Sequence, residues 1–96
     1  MNLNDYLKEK TKDGFAPRIE CADGFVMSVQ ASHFHYCTPR EDEGPYSEVK
    51  VGFPSAQDPD LQPYAETPEN PTGTVYGYVP IEIVEKVIEN HGGMKQ

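Results

Sequence analysis

The chain lacks tryptophan, has only two cysteines and carries half as many basic residues as acidic ones. It also has no long run of apolar residues, so neither a membrane-spanning helix nor the apolar centre of a signal peptide is predicted. A chain of 96 residues buries only a thin core, which favours one domain over residues 1–96 and excludes a large cofactor-binding domain. We therefore expect a small soluble protein of the cytoplasm.

Signatures of nucleotide binding and of hydrolysis are absent as well. The sequence contains no G-x-x-x-x-G-K-[ST], no G-x-G-x-x-G and no G-x-S-x-G. A nucleophile at Cys37, two positions from His35, lacks a predicted oxyanion hole, and the negative net charge disfavours its thiolate. We therefore expect no cofactor and no enzymatic activity.

The net charge of −8 is unevenly distributed. Acidic and basic residues balance in residues 1–40, and the whole acidic surplus lies in residues 41–96. Such a field repels phosphate backbones and anionic lipid, so direct binding to nucleic acid or to a membrane is not expected. A basic protein partner would be attracted instead.

The two cysteines are predicted to be free thiols. The dipeptide Asp23-Gly24 predicts a two-residue hairpin turn that pairs Ala22 with Phe25, which places Cys21 beside the start of the second strand. Cys37 lies far along that strand, beyond the distance that a disulfide can bridge. Free thiols fit a reducing cytoplasm.

Apolar spacing and turn residues predict an α+β fold, in which an antiparallel sheet of about four strands is covered on one face by a C-terminal helix. The predicted order is an N-terminal helix within residues 1–14, three strands within 18–53, a proline-rich acidic loop at 54–73, a strand at 74–79 and a helix at 80–92. Asn2 or Asn4 is predicted to cap the short first helix. The strand order leaves at least one sheet edge open, which would allow self-association or a homodimer.

Two irregularities are predicted within the strands. The second strand begins at Phe25 and alternates regularly up to Ser32, after which apolar and polar positions exchange, which predicts a bulge or bend at residues 32–34. In the fourth strand Tyr76 and Tyr78 are predicted on one face, and Gly77 between them is typical of a bulge or a close approach.

The sequence His33-Phe34-His35-Tyr36-Cys37 allows a metal site. On a strand, His33, His35 and Cys37 would share one face at a spacing that suits two imidazoles and a thiolate around one ion. The alternative is that the histidines are polar or packed groups at a strand end and that the thiol is inert. A small metal-binding protein is thus a second functional hypothesis.

Tyrosines are interspersed with acids and prolines where the charge surplus lies. Tyrosine is enriched at protein interfaces because it combines a large contact area with a polar tip. The predicted partner-binding residues are Tyr36, Arg40, Glu41, Asp42, Glu43, Tyr46 and Tyr64.

The segments VQAS at 29–32, YCTPR at 36–40, VKVGFPS at 49–55 and VYGYVP at 75–80 carry a resemblance to a known group. They resemble a family of short acidic proteins encoded by bacteriophages and prophages. The resemblance implies an accessory protein that binds or inhibits a host protein, and it assigns no functional residue. A structural or self-associating phage protein is a further alternative.

Overall fold

The computed structural model describes residues 2–95. It contains a short helix, a run of strands, a long loop with a single 3₁₀ turn, a last strand and a second helix. The elements are α1 (Leu3–Lys10), β1 (Ile19–Glu20), β2 (Val26–Gln30), β3 (Glu48–Gly52), the 3₁₀ turn (Gln62–Tyr64), β4 (Val75–Pro80) and α2 (Ile81–Asn90).

The four strands form one antiparallel sheet in the order β1-β2-β3-β4, which confirms the predicted fold class. Because successive side chains of a strand point to opposite faces, one set of side chains lies on a common face of the sheet, where each is almost fully buried. This core face consists of Ile19, Met27, Val29, Val49, Val51, Tyr76 and Val79.

The two helices contribute apolar residues to the same core. The buried residues of α2 are Val84, Val87 and Ile88, which recur at the spacing of one helix face. Helix α1 adds Leu3 and Leu7. In residues 2–95 neither helix combines the length and the apolar character that crossing a membrane requires.

Helix α1 is shorter than the predicted range of 1–14. It begins at its cap Asn2, whose side-chain oxygen accepts the N–H of Asp5 at 2.8 Å, and it ends at Lys10. The dipeptide Asp13-Gly14, at the end of the predicted helical range, forms a separate turn after the helix.

The turn between β1 and β2 contains three residues, Ala22–Gly24, rather than the predicted two. The N–H of Cys21 donates to the carbonyl of Phe25 at 2.8 Å, and the N–H of Gly24 donates to the carbonyl of Cys21 at 2.9 Å. Gly24 has a φ of +95°, which a residue without a Cβ adopts readily. The predicted pairing of Ala22 with Phe25 is therefore wrong by one residue.

Strand β2 ends at Gln30, so of the predicted bulge or bend at residues 32–34 the bend is confirmed and a bulge inside a continuing strand is wrong. Residues 32–36 form turns and bends. The Oγ of Ser32 accepts the N–H of Phe34 at 3.3 Å, and its carbonyl accepts the N–H of His35 at 3.2 Å. These local hydrogen bonds redirect the chain where alternation alone suggested a kinked strand.

The predicted irregularity at Gly77 is confirmed as a bulge, but the predicted common face of Tyr76 and Tyr78 is wrong. Gly77 and Tyr78 together oppose the single residue Lys50 of β3. The extra residue places Tyr76 in the core, with no exposed surface, and leaves Tyr78 44% exposed.

Both edge strands are partly covered by irregular chain, which corrects the prediction of an open sheet edge. The N–H of Lys95 donates to the carbonyl of Glu20 in β1 at 2.8 Å. On the other side, Ala65 of the long loop forms an antiparallel bridge with Tyr76 in β4. A homodimer therefore gains no support from a free strand edge.

The face of the sheet opposite the core face is here called the outer face, and it is formed by Ser28, Gln30, Lys50 and Gly52. Residues 11–17 lie over it, because the amide of Gln30 accepts the N–H of Ala16 at 2.7 Å and donates to its carbonyl at 2.8 Å. Both groups are buried, so this contact anchors the segment to the sheet.

A second irregular segment, residues 32–38, also lies over the outer face. A Cβ on Gly77 would stand 3.4 Å from the Cβ of Tyr36, so the chain passes close to the bulge. The N–H of Tyr78 donates to the carbonyl of Tyr36 at 3.0 Å. The bulge thus supplies the hydrogen bond that holds this segment.

Candidate interaction surface

The large exposed hydrophobic side chains of the described residues are aromatic, and they lie on strands and loops rather than on the helices. They are Phe15 (57% exposed), Phe34 (42%), Tyr36 (41%), Phe53 (48%) and Tyr78 (44%). Phe15, Phe34, Tyr36 and Tyr78 occur in two contacting pairs at the outer face and are called the aromatic surface below. Exposed apolar patches on a small protein commonly mark interaction sites.

Phe15 and Phe34 form the first pair, with ring centroids 5.3 Å apart. Phe15 follows a two-residue turn in which Lys12 and Phe15 exchange hydrogen bonds of 2.8 and 3.1 Å. Gly14 in that turn has a φ of +85°, and a Cβ there would lie 2.5 Å from the Phe34 ring. The positive φ favours glycine in this turn, and the absence of a Cβ leaves room for the tip of the Phe34 ring.

His35 lies beneath this pair as a structural group. It is 4% exposed, and its Nε2 donates to the carbonyl of Gly14 at 3.0 Å, since a carbonyl can only accept. Burial lowers the pKa of His35, and the nearby charges of Lys50 and Arg40 lower it further. The neutral ring supports the Phe34 ring, whose centroid is 4.5 Å away.

Tyr36 and Tyr78 form the second pair, with ring centroids 6.0 Å apart. The guanidinium carbon of Arg40 stands 5.5 Å from the centroid of the Tyr36 ring, within the range of a cation–π contact. The rings, tilted by 31° to one another, and the guanidinium together present a polarisable area.

Two exposed aromatic residues have a left-handed backbone. The φ of Phe53 is +49° and that of Tyr78 is +52°. This region costs a residue with a Cβ about 1–2 kcal/mol, and such strain concentrates at functional sites. At Tyr78 this strain lies within the aromatic surface, and at Phe53 it lies where the chain leaves β3, outside that surface.

This strain can be measured by comparing alanine and glycine at the same site. At Phe53 and at Tyr78 we expect the glycine variant to be more stable than the alanine variant by about 1 kcal/mol, the reverse of the usual order within strands. Both variants lose the ring, so the difference in free energy of unfolding in urea reports the backbone alone. Gly less stable than Ala at these sites would contradict the strain.

The structure places five of the predicted partner-binding residues on the exterior. Tyr36, Arg40 and the loop Glu41–Glu43 are exposed. Asp42 also holds His33, because its Oδ1 accepts the backbone N–H of His33 at 3.0 Å and lies 2.7 Å from its Nδ1. These hydrogen bonds lower the pKa of Asp42.

The other two predicted contacts are less accessible. Tyr46 is 7% exposed, and its hydroxyl donates to the carbonyl of Glu41 at 2.9 Å, so it supports the acidic loop from inside. Tyr64 packs against the core from the 3₁₀ turn and is half-buried. Neither residue belongs to the aromatic surface.

The metal alternative required His33, His35 and Cys37 on one strand face, and the structure has no strand there. His33 is exposed and paired with Asp42, His35 points to the carbonyl of Gly14, and the Cys37 thiol donates to the carbonyl of Ser32 at 3.2 Å. Within residues 2–95 no three metal-ligating side chains come together.

Both cysteines are free and buried, as predicted. Burial raises the pKa of the thiols of Cys21 and Cys37, which keeps them protonated and disfavours a nucleophilic role.

A polar cluster at His91 joins three parts of the chain. Its Nδ1 lies 2.6 Å from Asp23 in the β1–β2 turn, and its Nε2 lies 3.0 Å from the buried carboxylate of Asp58 in the long loop. The ring stacks on Phe25, with centroids 4.0 Å apart. Both nitrogens are occupied by carboxylates, so the imidazole is arranged to hold the fold together.

The carboxylates favour the protonated ring. The hydrogen bond with Asp23 raises the pKa of His91, and the bond with Asp58 adds to this against the opposing effect of burial. The pKa of Asp23 is lowered, first by the N–H of Phe25 and then by His91. The cluster is a charged clamp whose strength depends on pH.

Sequence reasoning missed Phe15, Phe34 and Tyr78. The dipeptide Asp13-Gly14 was a usable signal for the turn that precedes Phe15, because it is typical of a two-residue hairpin turn. The contact of Phe34 with Gly14 joins segments that are distant in the chain, and no local pattern indicates it.

Comparison of the chain with protein-family models finds no match, and comparison with curated proteins and with solved structures finds none either.

Proposed function

We propose that this chain is a non-enzymatic protein-binding module that presents the aromatic surface to a partner protein. The observation that carries the proposal is the fixed exposure of Phe15 and Phe34, which the Gly14 turn holds in contact. Large aromatic side chains dominate binding energy at protein interfaces, and rigid presentation lowers the entropy lost on binding.

The second pair supports the same function. Tyr36 and Arg40 belong to the residue types most enriched among energetically dominant interface residues. Tyr78 is kept outside by the bulge and by a strained backbone, an arrangement that contributes little to the core. Four aromatic rings at one face thus provide an area suited to macromolecular contact.

A non-enzymatic role is consistent with the state of the reactive side chains. The thiols of Cys21 and Cys37 are buried with raised pKa values, and the ring nitrogens of His91 are both engaged. The resemblance noted above supports a phage accessory protein that acts on a host protein in the host cytoplasm. Origin, partner and compartment are parts of the proposal.

A yeast-displayed library of random peptides tests the proposal while the partner itself is unidentified. We expect selected peptides to bind the protein with micromolar Kd, and to bind a Phe15→Ala/Phe34→Ala double variant at least about tenfold more weakly. Isothermal titration measures both values, and circular dichroism checks that the double variant is folded.

Phe53→Ala is the matched control, because Phe53 is equally exposed but outside the aromatic surface. Its Kd should remain within about twofold of the original value. Failure to select any peptide, or peptides that bind the double variant as well as the original protein, would contradict the proposed function.

A further inference from the structure

Most described basic residues without an ion-pair partner lie on one side of the sheet, around the outer face. Within residues 2–95, Lys10, Lys86 and Lys95 have a carboxylate within ion-pair distance. The remaining basic residues have none, and all of them except Lys8 of α1 lie around the outer face. They are Lys12, Arg18, Arg40 and Lys50.

Each of these four residues adjoins an exposed aromatic residue or the strands that carry one. The backbone of Lys12 is hydrogen-bonded across the turn to the backbone of Phe15, and the guanidinium of Arg40 lies over the Tyr36 ring. Lys50 projects from β3 opposite the Tyr78 bulge. Arg18 donates to the carbonyl of Phe53 at 2.8 Å, at the end of the same strand.

Two acids near the aromatic surface are engaged in hydrogen bonds, whereas Asp13, Glu41 and Glu43 have no ion-pair partner among the described residues. Asp42 is bound to His33, and the carboxylate of Glu48 accepts the hydroxyl of Thr38 at 2.7 Å. Arg40 and Lys50 help to lower the pKa of His35, which indicates a locally positive field in a chain of net charge −8.

The negative charge of the rest of the molecule acts weakly at this distance. The acidic residues of α2 lie on the side of the sheet that carries the core face, opposite the aromatic surface. The molecule measures 21 Å along its shortest axis, so the two sides are well separated. The Debye length is about 8 Å at physiological ionic strength, so a bound group responds mainly to the charges beside it.

We propose that the aromatic surface binds an acidic segment of its partner, in which aspartate or glutamate residues flank an aromatic or aliphatic anchor. The anchor would pack on Phe15 and Phe34, and the carboxylates would meet Arg40 and Lys50. This inference rests on the proposed function and reverses the sign of partner that the net charge alone predicts.

A single-stranded nucleic acid also combines planar groups with negative charge, but the structure favours a peptide. A phosphate backbone carries charge along its whole length, and one that crossed this face would pass the exposed acids of Glu41–Glu43. A peptide carries only a few carboxylates, and these can lie beside the cations of the surface.

The peptides selected above test the inference through their composition and through charge reversal. We expect acidic residues to be enriched around an apolar anchor, and Arg40→Glu and Lys50→Glu each to raise Kd at least about tenfold. Binding should weaken as salt rises from about 0.05 M to about 0.5 M. Arg40→Gln and Lys50→Gln, which remove charge with little change of size, should show smaller losses in the same direction.

Lys8→Glu is the control, because it makes the same charge change at an unpaired lysine on α1, and its Kd should stay within about twofold. Selected peptides rich in lysine and arginine would overturn this inference while leaving the proposed function intact. A fluorescent oligothymidine that binds more tightly than the peptides, with the same dependence on Arg40 and Lys50, would also overturn it. Absence of any selected peptide would count against the proposed function itself.

Discussion

Replacing His91 with glutamine is expected to lower the free energy of unfolding by about 2 kcal/mol near neutral pH or below. The carboxylate of Asp58 is buried, and His91 is its only charged partner among the described residues. Removal of the imidazolium leaves that carboxylate out of water with a weaker donor. Chemical unfolding in urea measures the loss.

The same contact makes stability depend on pH in a defined direction. Because the pKa of His91 is raised in the folded protein, its stabilisation is complete below the unfolded value of about 6.5 and is lost as pH rises through the folded pKa. Asp23 has a lowered pKa, so its contribution is lost at the acidic end, as pH falls through the folded value. The pKa of His35 is lowered by burial, so its contribution has the opposite sign and is lost as pH falls through the unfolded value of about 6.5, and the effect of His91 is isolated by substitution.

We expect the stability that His91→Gln loses, relative to the original protein, to be larger at about pH 5.5 than at about pH 8.5. His33→Gln provides the control, since His33 and Asp42 form a similar pair in which both side chains are 66% exposed. That variant should leave the pH dependence unchanged. A loss in His91→Gln of the same size at both pH values would contradict the clamp.

Gln30→Ala is expected to destabilise the fold by about 2–4 kcal/mol and to release residues 11–17 from the outer face. The side chain of Gln30 satisfies both the N–H and the carbonyl of Ala16, which are buried. Alanine leaves both backbone groups without a hydrogen-bond partner. Each buried, unpaired group lowers the free energy of unfolding.

Urea unfolding gives the stability change, and hydrogen exchange at the amide of Ala16 reports the local release. We expect that amide to exchange much faster in the variant, together with weaker binding of the selected peptides, because Phe15 is no longer positioned. Gln57→Ala, at an exposed glutamine of the long loop, should change neither quantity. Unaltered protection of Ala16 in Gln30→Ala would refute the anchoring role.

The helices and strands were predictable because apolar residues recur along each of them at a regular spacing. The spacing of Val84, Val87 and Ile88 indicated α2, and the alternation of Met27 and Val29 indicated β2. These patterns depend on burial of one face, which the sequence records directly.

The predictions were wrong where contacts between distant segments, rather than a regular spacing of apolar residues, determine the structure. Strand β2 stops because Ser32 closes a turn, and Tyr78 leaves the core because a bulge at Gly77 admits the segment that contains Tyr36. Neither event changes the composition of its strand. A pattern of alternation therefore predicts that a strand exists better than it predicts where the strand ends.

The candidate site was only partly predictable for the same reason. Tyr36 and Arg40 followed from the frequency of these residue types at interfaces, and both are exposed and in contact. Phe15 and Phe34 become a pair only through the packing of a turn against a loop.

The irregular chain along both sheet edges has a consequence for how recognition can occur. A domain with a free edge reads its ligand by main-chain pairing and so requires an extended ligand. Here Lys95 and Ala65 occupy positions along those edges. Recognition through ring faces and guanidinium groups imposes no particular backbone conformation on the ligand, so helical, looped and extended epitopes on unrelated folds are all admissible targets.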